Sequence, residues 1–212
     1  MSNKLHHEKI ARGAELLEKL ASTKITLCGV GALGSNLAVN MARIGAAQLT
    51  FIDKDRVEES NLSTQVYSLD DIGGQKADIL RNSIYRDLGI EAQAHCQELT
   101  DRNIKKLLSG SQLVIDAFDN ALSRSLIAGF CKENGIHCLH AGVNDQFGEI
   151  RWNENYIVPS GEGEDICDYP LARNLVQLVI AVASESVIRF LQNGEKKDYS
   201  VTLKDLVISG SD

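Results

Sequence analysis

Gly29, Gly31 and Gly34 follow the apolar run Ile25-Thr26-Leu27-Cys28 and lead directly into a helix-forming stretch, the G-x-G-x-x-G spacing in its strand–turn–helix setting. Glycines there let backbone N–H groups and a helix N-terminus approach phosphates closely. Asp53 closes the next apolar run, Gln48 to Ile52, at the place where a carboxylate accepts ribose hydroxyls in nucleotide-binding sheets. These features together point to a nucleotide. Glycine also permits close packing of a helix on a strand, so the turn has a purely structural reading beside the functional one.

Further polar residues follow in order: Asp55, then Asn61 and Gln65 in Ser60-Asn61-Leu62-Ser63-Thr64-Gln65, Lys76 after Gly73-Gly74-Gln75, and Asp119, Asn120 and Arg124 after Asp116-Ala117-Phe118. Each has a plainer alternative. Asn61 and Gln65 can cap a loop, Asp119 can be the N-cap of the next helix, and Arg124 can be a surface charge. Lys76 falls in the first turn of an expected helix, where a cation opposes the helix dipole; that unfavourable placement invites a ligand.

The ordered set from Gly29 to Arg124 resembles the adenylate-forming MoeB/ThiF family, which includes the ubiquitin-activating enzymes, over about Ile25 to Glu149. The resemblance implies that Gly31 lies against the phosphates and that Asp53 and Asp55 lie near the ribose and reacting centre. It further implies that Asn61, Gln65 and Lys76 meet the triphosphate, and that Asp119 holds Mg²⁺ with Asn120 beside it and Arg124 fixing the loop. The implied partner is a small ubiquitin-fold protein ending in Gly-Gly, whose carboxylate attacks the α-phosphorus of ATP. Such chemistry needs charge neutralisation and positioning rather than a nucleophilic side chain. Relatives act as homodimers, some with an Arg from the partner's N-terminal segment, for which Arg12 is the candidate here.

Three departures stand out. Thr64 occupies the position where the family has Arg before Gln. The paired C-x-x-C ligands of zinc-bearing relatives are absent, so no zinc is expected; His137, Cys138 and His140 do not substitute, because strand neighbours point to opposite faces. Cys167, in a polar stretch with Gly161 and Gly163, is a catalytic candidate by resemblance and an equally good structural one. Nearby Glu164, Asp165 and Asp168 disfavour its thiolate. The other cysteines, Cys28, Cys96, Cys131 and Cys138, sit in apolar stretches as small buried side chains. The rival readings are a catalytically weakened nucleotide-binding subunit of the same family, a nicotinamide-dependent oxidoreductase, and adenylation of a small molecule or a tRNA base.

Alternating apolar runs and helical stretches must position these residues. Strands are expected near Lys24 to Cys28, Gln48 to Ile52, Glu91 to Cys96, Leu113 to Asp116 and His137 to Ala141. Helices are expected from about Gly34 to Gly45, Gly74 to Leu88, Asp101 to Leu108 and Leu122 to Asn134. This order predicts a doubly wound, mostly parallel (Rossmann-like) α/β sheet. After Gly142, alternation predicts a hairpin of Phe147 to Trp152 with Asn155 to Val158, a helix from about Pro170 to Gln192, and edge strands at Tyr199 to Leu203 and Leu206 to Ile208. Trp152, Phe147 and Tyr156 read as core, on a face that could also receive an extended tail.

One domain over residues 1–212 is the economical expectation, with an N-terminal helical segment over 1–22 and the antiparallel strands and long helix over 143–212. A formal charge of -7 argues against general nucleic-acid binding. The start lacks a signal-like apolar core, and the run from Leu175 to Ala183 contains Gln177 and is too short to span a bilayer. A cytoplasmic protein without membrane partners is therefore expected. Five cysteines, an odd number with no C-x-x-C pair, give no disulfide framework.

Overall fold

The computed structural model describes residues 3–159 and 170–211. Two short helices, α1 (His6–Arg12) and α2 (Ala14–Ser22), precede the first strand. Then come β1 (Lys24–Cys28), α3 (Ala32–Ile44), β2 (Gln48–Ile52), α4 (Lys76–Leu88), β3 (Gln93–His95), α5 (Ile104–Leu108), β4 (Leu113–Asp116), α6 (Ala121–Asn134), β5 (His137–Asn144), β6 (Phe147–Trp152), α7 (Arg173–Asn193), β7 (Asp198–Thr202) and β8 (Val207–Ser211). Between β2 and α4 the chain makes two single-turn 3-10 segments, Glu59–Ser63 and Leu69–Asp71.

All eight strands form one sheet in the order β3-β2-β1-β4-β5-β6-β7-β8. Pairing is parallel from β3 through β5 and antiparallel from β5 to β8. The sequence reverses direction at β1, with β2 on one side and β4 on the other, and a crevice at the carboxyl ends of strands forms at such a switch point. Alternate strand residues separate two apolar layers. Ile25, Leu27, Leu49, Phe51, Leu113 and Ile115 pack with the α2, α3, α4 and α7 side, whereas Cys28, Ile52, Val114 and Cys138 pack with α5 and α6.

The expected hairpin partner is corrected. Phe147–Trp152 pairs with an extended β5 and then with β7, while residues 155–158 form no strand. The strand begun at His137 runs on past Gly142 to Asn144, and a two-residue turn at Asp145 and Gln146 closes the hairpin. Asp145 there adopts φ 53°, a left-handed conformation that Asp tolerates. Phe147, expected in the core, is 41% exposed, whereas Trp152 is fully buried and Tyr156 half-buried.

The long helix begins at Arg173 rather than near Pro170, and by length and composition it is apolar enough to cross a bilayer. Its apolarity is used inside the fold, where Leu175, Val176, Val179, Ala183 and Val187 are fully buried. Of the four cysteines outside the polar loop, Cys28, Cys131 and Cys138 are buried and Cys96 is half-buried, all as free thiols.

Candidate active site

The turn that leaves β1 is held by backbone from both flanking strands. Gly29 N–H donates to the Ile52 carbonyl at 2.9 Å, and Ala117 N–H donates to the Cys28 carbonyl at 2.8 Å. Gly29 has φ 83°, and a side chain there would meet Ala117 and Phe118 at 3.0 Å; at Gly34 an added Cβ would lie 1.9 Å from the Gly29 carbonyl oxygen. These two glycines satisfy the packing reading. Gly31 differs, because a Cβ there would find only Gln65 Nε2, at 4.0 Å. No crowding within the protein requires glycine at that position, and the open space lies where α3 begins with unsatisfied backbone N–H groups.

Asp53, expected at the ribose, is 5% exposed and spends both oxygens on backbone. Oδ2 accepts the Val30 N–H at 2.7 Å and Oδ1 accepts the Asp55 N–H at 2.8 Å. Burial holds its carboxyl above the ordinary carboxylate range, opposed by these two N–H groups and by nearby Lys76. Asp53 therefore organises the turn from beneath. Tyr67 supports the same turn, its hydroxyl donating to the Val30 carbonyl at 2.8 Å; burial pushes that phenol far up, so it remains a donor.

Lys76 is the first residue of α4 and is 7% exposed, not the solvated side chain a first-turn lysine usually is. Its Nζ lies 3.6 Å from Asp55 Oδ2, and its N–H donates to the Asp55 carbonyl at 3.0 Å. A buried ammonium is retained only with a counter-charge, and half-exposed Asp55 supplies one. Asn61 acts as a local cap, its Oδ1 accepting the Glu58 N–H at 3.1 Å. Gln65 is different: its Oε1 is buried and has no hydrogen-bond partner among the described residues, although its amide sits beside the Gly31 space. An unmet buried acceptor costs about 1–3 kcal/mol, which a ligand or a bound water would relieve.

On the other side of the turn, Asn120 and not Asp119 is the N-cap of α6, its side chain accepting the Ser123 N–H at 2.8 Å. Asp119 is exposed and unpaired among the described residues, leaving its carboxylate available to a cation. Mg²⁺ usually takes one or two carboxylates together with substrate phosphates, so a single free Asp in the loop next to the glycine turn is compatible with it. Arg124 bonds into this loop. Its Nε donates to the Phe118 carbonyl at 2.6 Å, Nη2 to the Ala141 carbonyl at 2.8 Å, and Nη1 to the Tyr156 hydroxyl at 2.9 Å. Burial works against its charge, but Asp116, Tyr156 and Glu149 more than offset this and raise its pKa.

A buried network underlies that loop. Asp116 Oδ2 lies 2.8 Å from His140 Nδ1, Asp116 Oδ1 accepts the Phe118 N–H at 3.1 Å, and His140 Nε2 lies 2.9 Å from Asn153 Oδ1. Tyr156 stacks on His140 with ring centroids 3.7 Å apart. Cys138 and His140 share one face, whereas His137 packs on Phe190 across the sheet, as strand alternation requires. Tyr67, Asp116, His140 and Tyr156 support the loops through contacts with Val30, His140 and Arg124 that no local pattern marks. Arg12 is engaged within its own chain, by Glu8 at 2.6 Å and Glu185 at 3.0 Å. Cys167 lies outside the described residues.

Comparison with known proteins places this geometry. The ThiF family model matches residues 2–162. The SAMP-activating enzyme E1 of Haloferax volcanii is 31% identical over 152 residues, 70% of this chain and 54% of that protein. The tRNA threonylcarbamoyladenosine dehydratase of Escherichia coli is 30% identical over 134 residues, 61% of this chain and 50% of that protein. The chain thus spans about half the length of these relatives. Among solved structures, E. coli MccB with MccA-N7isoASN superposes with a TM-score of 0.84 at 17% identity, covering 99% of this chain and 71% of that one, a likeness of fold. With the glycine turn, the stretch from Asn61 to Lys76 and the Asp119–Arg124 loop all inside the matched span, the chain belongs to the ThiF family.

Proposed function

We propose that this chain is an ATP-dependent adenylyltransferase that activates the C-terminal carboxylate of a small ubiquitin-fold sulfur-carrier or modifier protein. The observation that carries this is the open backbone turn at Gly31, which the amide nitrogen of Gln65 faces and which protein packing alone leaves unexplained. In this reading Gly31, Gln65, Asn61 and Lys76 hold the triphosphate, and Asp55, more exposed than Asp53, meets the ribose. Asp119 holds Mg²⁺, which offsets the charge passing to the leaving group. A carboxylate oxygen of the carrier attacks the α-phosphorus; the bond from that phosphorus to the bridging oxygen breaks, releasing pyrophosphate and leaving an acyl adenylate. The family membership and the name of the H. volcanii relative support activation of a modifier. The chain would work as a single domain, in a homodimer, in the cytoplasm.

Thermal unfolding with Mg²⁺-ATP, NAD and NADP in parallel tests the ligand. At a hundred times its dissociation constant a ligand contributes about 2.7 kcal/mol, roughly 5 to 10 °C here. A shift with Mg²⁺-ATP that shrinks in Asp119→Ala is expected, followed by ATP–pyrophosphate exchange on adding a Gly-Gly carrier. A shift with NAD alone would discard the proposal. The E. coli relative favours a second reading, adenylation of a group on tRNA, and exchange that depends on tRNA instead of a carrier would establish it.

A further inference from the structure

Of the cations described so far, Lys76, given to the triphosphate above, is shared with Asp55, and all three nitrogens of the Arg124 guanidinium are bonded within the protein. Position 64, directly before Gln65, carries an uncharged Thr whose carbonyl is taken by Asn36 Nδ2 at 2.7 Å. A triphosphate brings about four negative charges to such a site, and few positive groups remain to meet them.

Arg173, the first residue of α7, reaches this loop from far along the chain. Its Nη1 donates to the Ser63 carbonyl at 3.2 Å. One turn further along α7, Gln177 Nε2 donates to Asn36 Oδ1 at 3.0 Å. Arg173, Gln177, Asn36, Ser63 and Thr64 are therefore one connected set that keys the start of α7 to the segment carrying Gln65. A cation in the first turn of a helix opposes the helix dipole, and α7 has no acidic residue there to compensate. Among the described residues Arg173 has no carboxylate partner, so an exposed guanidinium with further N–H donors stands beside the loop that leads into Gln65.

We propose that Arg173 binds the triphosphate and supplies the cationic contact that Thr64 does not, so that the first residue of α7 completes the phosphate site. This rests on the nucleotide-binding reading given above. The test measures dissociation constants for Mg²⁺-ATP and for adenosine, which has no phosphate, on the full chain carrying Arg173→Gln, Arg173→Gln with Thr64→Arg, or the remote surface change Arg86→Gln. Loss of one charge-assisted phosphate contact weakens Mg²⁺-ATP about tenfold to a hundredfold. Adenosine binding and the unfolding temperature without ligand stay at native values, Thr64→Arg recovers most of the loss, and Arg86→Gln changes nothing. Unchanged Mg²⁺-ATP binding in Arg173→Gln, parallel weakening of ATP and adenosine, or no recovery with Thr64→Arg would overturn the assignment. If the native chain itself binds no Mg²⁺-ATP, the nucleotide reading fails first and takes this one with it.

Discussion

Asp53 Oδ2 accepts the Val30 N–H at 2.7 Å, so the end of β2 holds the middle of the turn that leaves β1. The other oxygen, Oδ1, turns the chain toward Asp55 by accepting its N–H at 2.8 Å. Asp53→Asn preserves the shape but replaces one acceptor with an NH₂ donor that must face one of these two N–H groups. A buried donor facing a donor costs about 1–3 kcal/mol, and urea denaturation at neutral pH should show a loss of that size. Native-like stability in the variant would mean that the carboxylate does not hold the turn.

The same residue sets a pH dependence. Burial, the largest effect, raises the folded-state pKa of Asp53 above its ordinary value near 3.8. The folded protein therefore keeps this proton to higher pH than the unfolded chain does. Its contribution to stability is complete below the ordinary pKa and is lost as pH rises from there through the raised folded value. The difference in stability between native protein and Asp53→Asn should shift against the native chain across that window and level off above it. Stability curves of the two proteins that run parallel from pH 3.5 to 7 would contradict the assigned direction.

Gly31 and Gly34 separate open space from packing within one turn. At Gly34 a Cβ would lie 1.9 Å from the Gly29 carbonyl, so Gly34→Ala must push α3 off the strand; a loss of about 1–3 kcal/mol or more is expected. At Gly31 the nearest atom is 4.0 Å away, so Gly31→Ala should fold with nearly native stability and lose Mg²⁺-ATP binding because the methyl fills the phosphate space. Thermal unfolding with and without the nucleotide distinguishes them. Native affinity in Gly31→Ala would remove this turn from the proposed site.

Most of the parallel half of the sheet is legible because β1, β2 and β4 are short apolar runs ended by Gly or Asp, and the helices between them are marked by periodicity. The candidate residues share that legibility where they are local to strand ends, as Gly31 and Asp119 are, whereas Gln65 in the long β2–α4 connection and Lys76 at the start of α4 are marked by the resemblance. Alternation alone does not name a strand's partner, so Phe147–Trp152 was paired with the following segment when the strand before it had simply continued past Gly142. Long-range polar contacts leave no pattern at all: Asp116 with His140, Tyr156 with Arg124, and Arg173 with Ser63 are pairs that only the folded chain brings together. Asp53 stands out at its strand end, but the sequence does not show that both its oxygens meet backbone N–H groups.

Arg124 joins the carboxyl ends of β4 and β5 by donating to the Phe118 and Ala141 carbonyls while Tyr156 accepts its third contact. No other side chain offers this planar fork, so Arg124→Lys keeps the charge near Asp116 but satisfies at most part of the set. The buried carbonyls left behind place the expected loss at about 2–4 kcal/mol. Because the Phe118 carbonyl belongs to the loop bearing Asp119, the loosening should also be local. Hydrogen exchange at residues 117–120 should speed up in Arg124→Lys more than exchange in β1 or α3, and Mg²⁺-ATP binding should weaken even where the variant remains folded. Uniform acceleration across the sheet, with binding intact in the folded fraction, would reduce Arg124 to a general stabiliser and detach the Asp119 loop from it.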